Sequence, residues 1–465
     1  MALELKKAKF SDFTIFEAAS DLGGTWRDNT YPGCACDIPS HLYSLKQFPK
    51  AGWSRSYSRQ PEILQYMKGI ARKEDLGQHI LYDTEITETT YQEETGFWTL
   101  KARDGREFSA RALVFGTGGL NIPNIPAIPG IEEYGGEIFH SNVWDHSVDL
   151  TDKNVAIVGT GASAIQIIPE VVSKVQSLTI FQRTPPWIVP RLDRSHTALE
   201  IKLFKAFPLL QSFYRQLLYW SREARAYFFV TNPKLDWAER IAKRFLDSSI
   251  QDSELRAAVT PDYRLGCKRV LVSDDYYPAL KQAHVKLINH GVSSFTAQGL
   301  KTKSGAEIAA DTVIMATGFK VFDIMNRFQA MGRQQLLTEA WKERVQAYFG
   351  ITVAGFPNMF ILLGPNTALG HNSVILMIEA QAKYIRQCLQ RMRSRRLKSL
   401  EIRGDVQNQF NDWIRKRLAR TVWLTGCQSW YLDESGHNST IWPGYVYQYQ
   451  WRTRRPKFHH YIEES

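Results

Sequence analysis

Short apolar runs alternate along the chain with stretches in which apolar residues recur every three or four positions. Near the start, this pattern predicts a helix from Ala2 to Lys9 and a strand from Phe13 to Phe16. It then predicts a helix from Pro61 to Lys73 and strands at Gly96 to Lys101 and at Ala112 to Phe115. Strands that alternate with helices are typical of an α/β fold.

A segment rich in Pro and Gly, Asn121 to Gly130, separates this region from a second βαβ unit. That unit begins with a strand at Asn154 to Val158 and turns through residues 159 to 161. It continues into a helix from about Ala162 and returns as a strand at Leu178 to Phe181. This unit contains every element that a dinucleotide-binding fold needs.

The rest of the chain predicts a helical insertion between two further groups of strands. Residues Ser195 to Val259 have helical spacing, whereas Thr312 to Met315 and Met359 to Leu363 are apolar enough to be buried strands. A long helix is predicted from Ile375 to Arg396, and its apolar face holds Ile378, Ala382, Ile385, Leu389 and Met392.

Within the insertion, Leu199 to Val230 is the most apolar long stretch of the chain. It contains too many charged residues for a helix that crosses a membrane. They include Lys202, Lys205, Arg215, Arg222, Glu223 and Arg225. We therefore predict buried or interfacial helices here.

Composition narrows the class of protein. The 465 residues include 24 Phe, 20 Tyr and 13 Trp, enough for sizeable cores, and the length allows about three domain-sized units. The net charge of +11 is compatible with small anionic ligands, an anionic membrane surface or nucleic acid. The two most basic runs, Arg391 to Lys398 and Arg452 to Lys457, are short, and no nucleic-acid recognition module accompanies them. We expect no nucleic-acid partner.

The five cysteines are scattered and odd in number, and the first residues do not form a secretory signal. Both features favour a reducing compartment, and we expect a cytoplasmic protein. Cys34 and Cys36 have no further ligands at metal-binding spacing, so we predict two small residues in a tight loop and no metal site.

The segment VAIVGTGASA, residues 155 to 164, is the strongest local motif. Gly159 permits the tight turn, Gly161 lets a pyrophosphate approach the backbone, and Ala164 permits close helix packing. At the end of the returning strand, 22 residues after Gly161, stands Arg183 where an NAD site usually has an acid. Because arginine pairs with a 2′-phosphate, NADPH is the expected cofactor.

Glu17 ends the first predicted strand, where a dinucleotide-binding unit has its ribose-binding carboxylate about 20 residues after a glycine turn. Counting back from Glu17 puts that turn and its strand before Met1. We therefore expect the first unit to lack them, with marginal stability and weak retention of its dinucleotide as the predicted result. On this unit alone, Glu17 could equally be a surface acid.

Several segments, in order along nearly the whole chain, resemble motifs of class B flavoprotein monooxygenases, and of Baeyer–Villiger monooxygenases in particular. The loop DLGGTWRDNTYPGCACDIPSHLYS, residues 21 to 44, is similar to their flavin loop. YGGEIFHSNVWD, residues 134 to 145, fits the fingerprint F-x-G-x-x-x-H-x-x-x-W-[PD], with Tyr134 in place of Phe. The later similar segments are FQRTPPW, LGCKR, ATGF, GPNTALGHNS and QSWY.

The resemblance implies two sets of cofactor contacts. The FAD contacts would be Glu17, Thr25, Trp26, Asp37, Ile38 and Tyr43. The NADPH contacts would be Gly159, Thr160, Gly161, Ala162, Ser163, Ala164, Ile165, Gln166, Arg183, Thr184, Lys268 and, over the nicotinamide half, Trp430.

The resemblance also implies the catalytic residues. Arg269 matches the family's active-site arginine, which contacts the nicotinamide and stabilises the anionic peroxyflavin, and Asp37 matches the carboxylate that positions it. A guanidinium suits this task because it is planar, always charged and does not give up its proton. His140 matches a residue at the domain hinge, so we interpret it as structural or gating.

The resemblance implies two Rossmann-like, three-layer dinucleotide-binding domains. The FAD domain would be discontinuous, at residues 1–148 and 331–465, around an NADP domain at 149–330 whose helical insertion spans about 195–260. The implied reaction is NADPH- and O₂-dependent oxygen insertion beside a ketone carbonyl, giving an ester or lactone. Two alternatives remain open: oxygenation of a nitrogen or sulfur atom, and an inactive NADP-binding remnant without the FAD glycine turn.

Overall fold

The computed structural model describes residues 1–230, 236–321, 329–427, 429–433 and 435–465. Three consecutive parts of the chain form the fold. The first contains α1 (Ala2–Lys7), β1 (Ile15–Phe16), α2 (Thr25–Asp28), α3 (Gln60–Lys73), β2 (Ile80–Leu81), β3 (Ile86–Gln92), β4 (Phe97–Ala102), β5 (Glu107–Ala110) and β6 (Leu113–Phe115).

The strands of this first part form small sheets. β1 and β2 pair in parallel, while β3, β4 and β5 form an antiparallel meander. Trp98 of β4 is fully buried and donates through Nε1 to the Pro357 carbonyl at 2.9 Å, which fixes the meander to the third part of the chain.

The second part holds a five-stranded parallel sheet in the order β12-β9-β8-β16-β7. Its strands are β7 (Glu137–His140), β8 (Asn154–Val158), β9 (Ser177–Phe181), β12 (Val285–Ile288) and β16 (Thr312–Met315). Residues 155–158 of β8 are all buried, as expected for a strand covered on both faces. β7 belongs to this sheet although its residues lie within 1–148, the range predicted for the first part of the FAD domain. The domain boundaries remain a prediction.

The other elements of this part surround the sheet or extend from it. They are α4 (Ala164–Val171), β10 (Ile188–Val189), the inserted helices α5 (Ala198–Ala206), α6 (Pro208–Val230), α7 (Asp236–Ser249) and α8 (Ser253–Ala258), then β11 (Leu271–Val272), α9 (Tyr276–Leu280), β13 (Ser294–Thr296), β14 (Gly299–Lys301) and β15 (Glu307–Ala309).

The third part of the chain returns to the first. Its elements are β17 (Gln329–Met331), α10 (Leu337–Ala340), β18 (Met359–Ile361), α11 (Val374–Arg395), β19 (Ser399–Ile402), α12 (Gly404–Leu418), α13 (Val446–Arg452) and β20 (Tyr461–Glu464). β17 pairs in parallel with β3, and β18 pairs in parallel with β6. Residues after 328 therefore complete sheets that the first 115 residues begin.

Most predicted elements are present, with ends shifted by one or two residues. β8 and β16 have the predicted bounds, and the helical insertion is present as α5 to α8. The sequence pattern missed α12 and several short strands, among them β10 and β11. On α11, Ala382, Ile385 and Met392 are buried as predicted, whereas Ile378 is only half-buried.

The expectation of unpaired cysteines is wrong for one pair. Cys267 and Cys427 form a disulfide across 160 residues of sequence, with a Cα–Cα distance of 6.2 Å. Cys34, Cys36 and Cys388 are free and buried. Sequence spacing could not reveal the pair, because only the fold brings the two segments together. Within the described ranges, none of the helices is long and apolar enough to cross a membrane.

Candidate active site

The turn between β8 and α4 has the geometry of an anion-binding cradle. Gly159 has φ of +111°, and a Cβ atom there would lie 2.4 Å from the Ala316 carbonyl oxygen, so only glycine fits. Gly161 is exposed, and a Cβ there would meet no atom within 4 Å. The open approach to residues 161–163, ahead of α4, fits a pyrophosphate on the helix N-terminus.

Two positive charges lie at the end of β9. Arg183 is exposed and directly follows the buried Gln182, and its charge lowers the pKa of Lys268 in addition to the larger effect of burial. The Lys268 ammonium also lies 4.9 Å from the centre of the Tyr263 ring. Since Arg183 and Lys268 are close enough to repel each other, this corner fits a ligand with a compact negative charge, such as a 2′-phosphate.

The other predicted NADPH contacts differ in accessibility. Ala162 is exposed and Ser163 and Thr184 are half-buried, whereas Ala164 and Ile165 pack in the hydrophobic core and could reach a ligand only through their backbone. Thr160 is also buried.

The side chain of Gln166 is hydrogen-bonded to the loop of residues 21–44. Its Oε1 accepts from the Tyr31 hydroxyl at 3.1 Å and from the Ala35 N–H at 3.3 Å, while its Nε2 donates to the Ala35 carbonyl at 3.1 Å. The side chain of Gln166 thus joins α4 to the loop. Its geometry fits a role in orienting the two units better than direct contact with a cofactor.

An aromatic and apolar wall forms along the loop of residues 21–44. Trp26 donates through Nε1 to the Tyr43 hydroxyl at 3.1 Å, and both side chains pack with Ile38 against the buried Cys36 and Trp53. A flat, largely apolar surface with a few polar atoms fits a ring system such as that of a flavin. The structure thus brings together three of the predicted FAD contacts.

Two predicted FAD contacts lie at the edge of this loop. Glu17 follows β1 and accepts, on Oε1, from Arg27 Nη1 and from the Ala19 N–H, both at 3.0 Å. Thr25 is the first residue of α2 and is exposed. Neither Glu17 nor Thr25 is hydrogen-bonded to Asp37 or Arg269. The two residues would therefore contact a different part of a bound dinucleotide.

Arg269 and Asp37 form the ion pair predicted at the centre of the site. Nε and Nη2 of Arg269 donate to Asp37 Oδ2 at 3.1 and 2.5 Å, and both side chains are about 30% exposed. Asp37 raises the pKa of the Arg269 guanidinium further, which keeps it charged. Burial alone would raise the pKa of Asp37, but the charge of Arg269 overcomes it and holds that pKa below its usual range.

Two further residues at this pair were missed by sequence reasoning. Tyr431 is buried against Arg269, and burial raises the pKa of its phenol to about 12, so it stays protonated. Arg191 donates through Nη2 to the Cys36 carbonyl at 3.0 Å, directly beside Asp37. The QSWY segment pointed to Tyr431, but no sequence pattern distinguished Arg191 from a surface arginine.

Trp430, the predicted nicotinamide cover, lies on the same segment as Tyr431. Its ring centre is 4.6 Å from that of Tyr431, and 39% of the side chain is exposed. The disulfide fixes this segment, since Cys427 is bonded to Cys267, two residues before Arg269. The exposed indole of Trp430 therefore lies beside Tyr431, the buried residue that packs near Arg269.

His140 joins the fingerprint segment to the ATGF segment. It is buried, its Nε2 lies 3.0 Å from the Gly318 carbonyl, and its Nδ1 accepts from the Asn142 N–H at 3.1 Å. Burial lowers the pKa of the ring. With both ring nitrogens bound to the backbone, the histidine has the geometry of a structural connector.

The chain is similar to known flavin-binding monooxygenases in both sequence and fold. The model of the family described as flavin-binding monooxygenase-like matches residues 10–323. A Baeyer-Villiger monooxygenase of Pseudomonas aeruginosa is 43% identical over 459 residues, covering 98% of this chain and 87% of the relative. A Baeyer-Villiger monooxygenase of Streptomyces coelicolor is 42% identical over 458 residues, covering 98% and 88%.

Among solved structures, an oxidized steroid monooxygenase bound to NADP superposes with a TM-score of 0.89. The two chains are 25% identical, and the alignment covers 100% of this chain and 97% of the other. The likeness therefore spans all three parts of the chain, including the helical insertion.

Proposed function

Because the chain belongs to the flavin-binding monooxygenase-like family, we propose that it acts as an FAD- and NADPH-dependent Baeyer–Villiger monooxygenase. The reaction consumes a ketone, O₂, NADPH and a proton, and yields an ester or lactone, NADP⁺ and water. One oxygen atom of O₂ enters the C–C bond beside the carbonyl, and the other leaves as water. The fold, the relatives and the geometry at Arg269 all support this reaction.

The observation that carries the proposal is the Arg269–Asp37 ion pair. Oxygen insertion requires negative charge to be held beside the flavin without premature protonation. A guanidinium whose pKa is raised by Asp37 supplies charge and donates hydrogen bonds, but it does not release its proton. Asp37 holds Nε and Nη2, so it directs the remaining N–H groups of Arg269 away from itself.

Bound FAD and NADPH supply the redox chemistry, since NADPH provides the hydride and the reduced flavin delivers electrons to O₂. The residues of the protein would bind and orient the two cofactors and enclose the reacting centre. Arg183 and Lys268 would hold the 2′-phosphate, the turn at Gly159 would receive the pyrophosphate, and the wall of Trp26 and Tyr43 would pack on the flavin. Trp430 would cover the nicotinamide and exclude water from the reacting centre.

The test compares the products that the protein forms from different classes of substrate. The purified protein, with its FAD content measured from flavin absorbance, is incubated with NADPH and either ketones, a thioether or a tertiary amine. Esters or lactones from ketones, formed in proportion to NADPH oxidised, support the proposal. Exclusive formation of sulfoxide or N-oxide would replace it with heteroatom oxygenation, and a colourless protein that binds NADPH without turnover would indicate an NADP-binding remnant.

A further inference from the structure

The hairpin of α5 and α6 carries an unusual concentration of exposed apolar side chains. Six large residues of this hairpin, here called the hairpin patch, are each more than half exposed: Leu199, Phe207, Leu209, Phe213, Leu217 and Trp220. Leu209, next to the turn, is 86% exposed. Scattered exposed apolar residues are ordinary, but a contiguous group of this size marks a surface that contacts something other than water.

The α6 part of the patch has the spacing of one helix face. Leu209, Phe213, Leu217 and Trp220 follow each other at intervals of four, four and three residues. Leu199 lies near the start of α5, and Phe207 lies in the turn between the two helices. At 1.5 Å per residue, the α6 portion runs about 17 Å. At the turn, all six residues from 205 to 210 are exposed, so the apolar tip is open to solvent.

Close to its turn, the hairpin is packed on the loop of residues 21–44. Phe204 and Tyr214 lie against the ring of His41, with ring-centre distances of 4.9 and 5.4 Å. Arg215 donates to the Ser44 carbonyl at 2.9 Å. One side of the hairpin is therefore held against the protein near the turn, while the side chains of the patch stay exposed.

Charge around the tip is positive. Lys202 and Lys205 are exposed beside it. Of the two carboxylates on α5 and α6, Glu200 is paired with Arg194 at 2.6 Å and caps α5, and Glu223 is buried against Asn372 at 2.8 Å. No carboxylate of these two helices is left to offset the two lysines.

An apolar strip of Leu, Phe and Trp with lysines beside it is the chemistry that binds the surface of an anionic bilayer. We propose that the hairpin patch docks this protein on a phospholipid membrane with anionic headgroups, without crossing it. The apolar side chains enter the boundary between headgroups and acyl chains, while Lys202 and Lys205 contact lipid phosphates. The net charge of +11 favours the same surface.

The experiment is flotation of the FAD-loaded full chain with vesicles of phosphatidylcholine alone or with 30% phosphatidylglycerol. We expect most of the protein to float with the anionic vesicles and at least fivefold less with the neutral ones. Phe207→Glu with Leu209→Glu should reduce the bound fraction at least fivefold, and Lys202→Glu with Lys205→Glu at least threefold. The milder Phe207→Ser with Leu209→Ser repeats the test without added charge.

The control is Ile462→Glu, which introduces one such charge at an exposed apolar position of β20. It should float like the unaltered chain. Flavin absorbance and circular dichroism verify the fold of each variant. The proposal is overturned if the unaltered chain stays unbound with both vesicles. It is equally overturned if light scattering shows a dimer that the Phe207 and Leu209 variants dissociate, since the patch would then bind a second copy.

Discussion

Arg269 differs from an ordinary surface arginine only through its surroundings. The dipeptide Lys268-Arg269 would normally indicate two solvated charges, and the structure instead pairs Arg269 with Asp37 and buries Tyr431 against it. Asp37 was predictable because its loop motif is distinctive. The QSWY motif pointed to the segment of Tyr431 but not to its contact with Arg269. Arg191 had no sequence signal at all, since its contact with the Cys36 carbonyl joins segments more than 150 residues apart.

At this residue we expect substitution to affect chemistry far more than folding. Arg269→Lys keeps the charge but loses the planar fork, so ester formation per flavin should fall at least a hundredfold. Asp37→Asn leaves the guanidinium unoriented and should cost about tenfold. Product analysis at saturating NADPH measures both. If the lysine variant retains more than a third of the activity, the guanidinium is not the group that stabilises charge.

Arg183 should determine the choice of nicotinamide cofactor. A hydrogen-bonded ion pair with a 2′-phosphate contributes about 1.5–3 kcal/mol, so Arg183→Gln should raise KM for NADPH at least tenfold and leave KM for NADH nearly unchanged. Arg103→Gln, which removes an exposed arginine paired with Glu85, serves as the control. Equal effects on NADPH and NADH would contradict a 2′-phosphate contact at Arg183.

At the scale of elements, most helices and the buried strands were predictable, whereas α12 and the short strands were not. After their first residues, β8 and β16 are apolar because both faces of the sheet are covered, and that pattern is readily recognised in sequence. β10 and β11 have two residues each and exist only because they pair with one another. The hairpin of α5 and α6 was predicted as buried or interfacial helices, and its outer face is exposed.

The junction between this hairpin and the flavin-loop side contains a buried histidine. His41 packs against His196, Phe204 and Tyr214, and its Nδ1 lies 3.3 Å from Gln211 Nε2. Burial lowers the pKa of His41 to about 4; the charges of His196 and Arg215 act in the same direction, and Glu200 opposes them. The ring is neutral in the folded protein at neutral pH.

His41 should therefore make the fold sensitive to acid. Because the folded pKa of about 4 lies below the unfolded value near 6.5, its contribution is complete above pH 6.5 and is lost as the pH falls toward 4. Between pH 7 and 4.5 this amounts to about 2.5 kcal/mol of unfolding free energy. In denaturant unfolding, the free energy of unfolding of His41→Phe should change by that amount less between these two pH values than that of the unaltered chain. His459→Phe, at an exposed histidine, is the control. An unchanged pH dependence would contradict a buried neutral ring.

At the scale of the whole molecule, the chain leaves its first sheets, builds a parallel sheet and returns. The order of motifs predicted two dinucleotide-binding units with the first one interrupted, and the pairing of β17 with β3 and of β18 with β6 is how the last part rejoins the first. Strand pairing across more than 200 residues could be expected only from the family resemblance. Local propensity and hydrophobic periodicity do not show which distant strands pair.

As proposed above, this molecule inserts one atom of O₂ beside a ketone carbonyl and oxidises NADPH in doing so. The most direct measurement is incubation of the FAD-loaded protein with NADPH, a ketone and ¹⁸O₂, followed by mass spectrometry of the product. We expect an ester or lactone that carries one ¹⁸O atom, formed in proportion to the NADPH oxidised. Oxidation of NADPH with unchanged ketone, or a product without the label, would contradict the account.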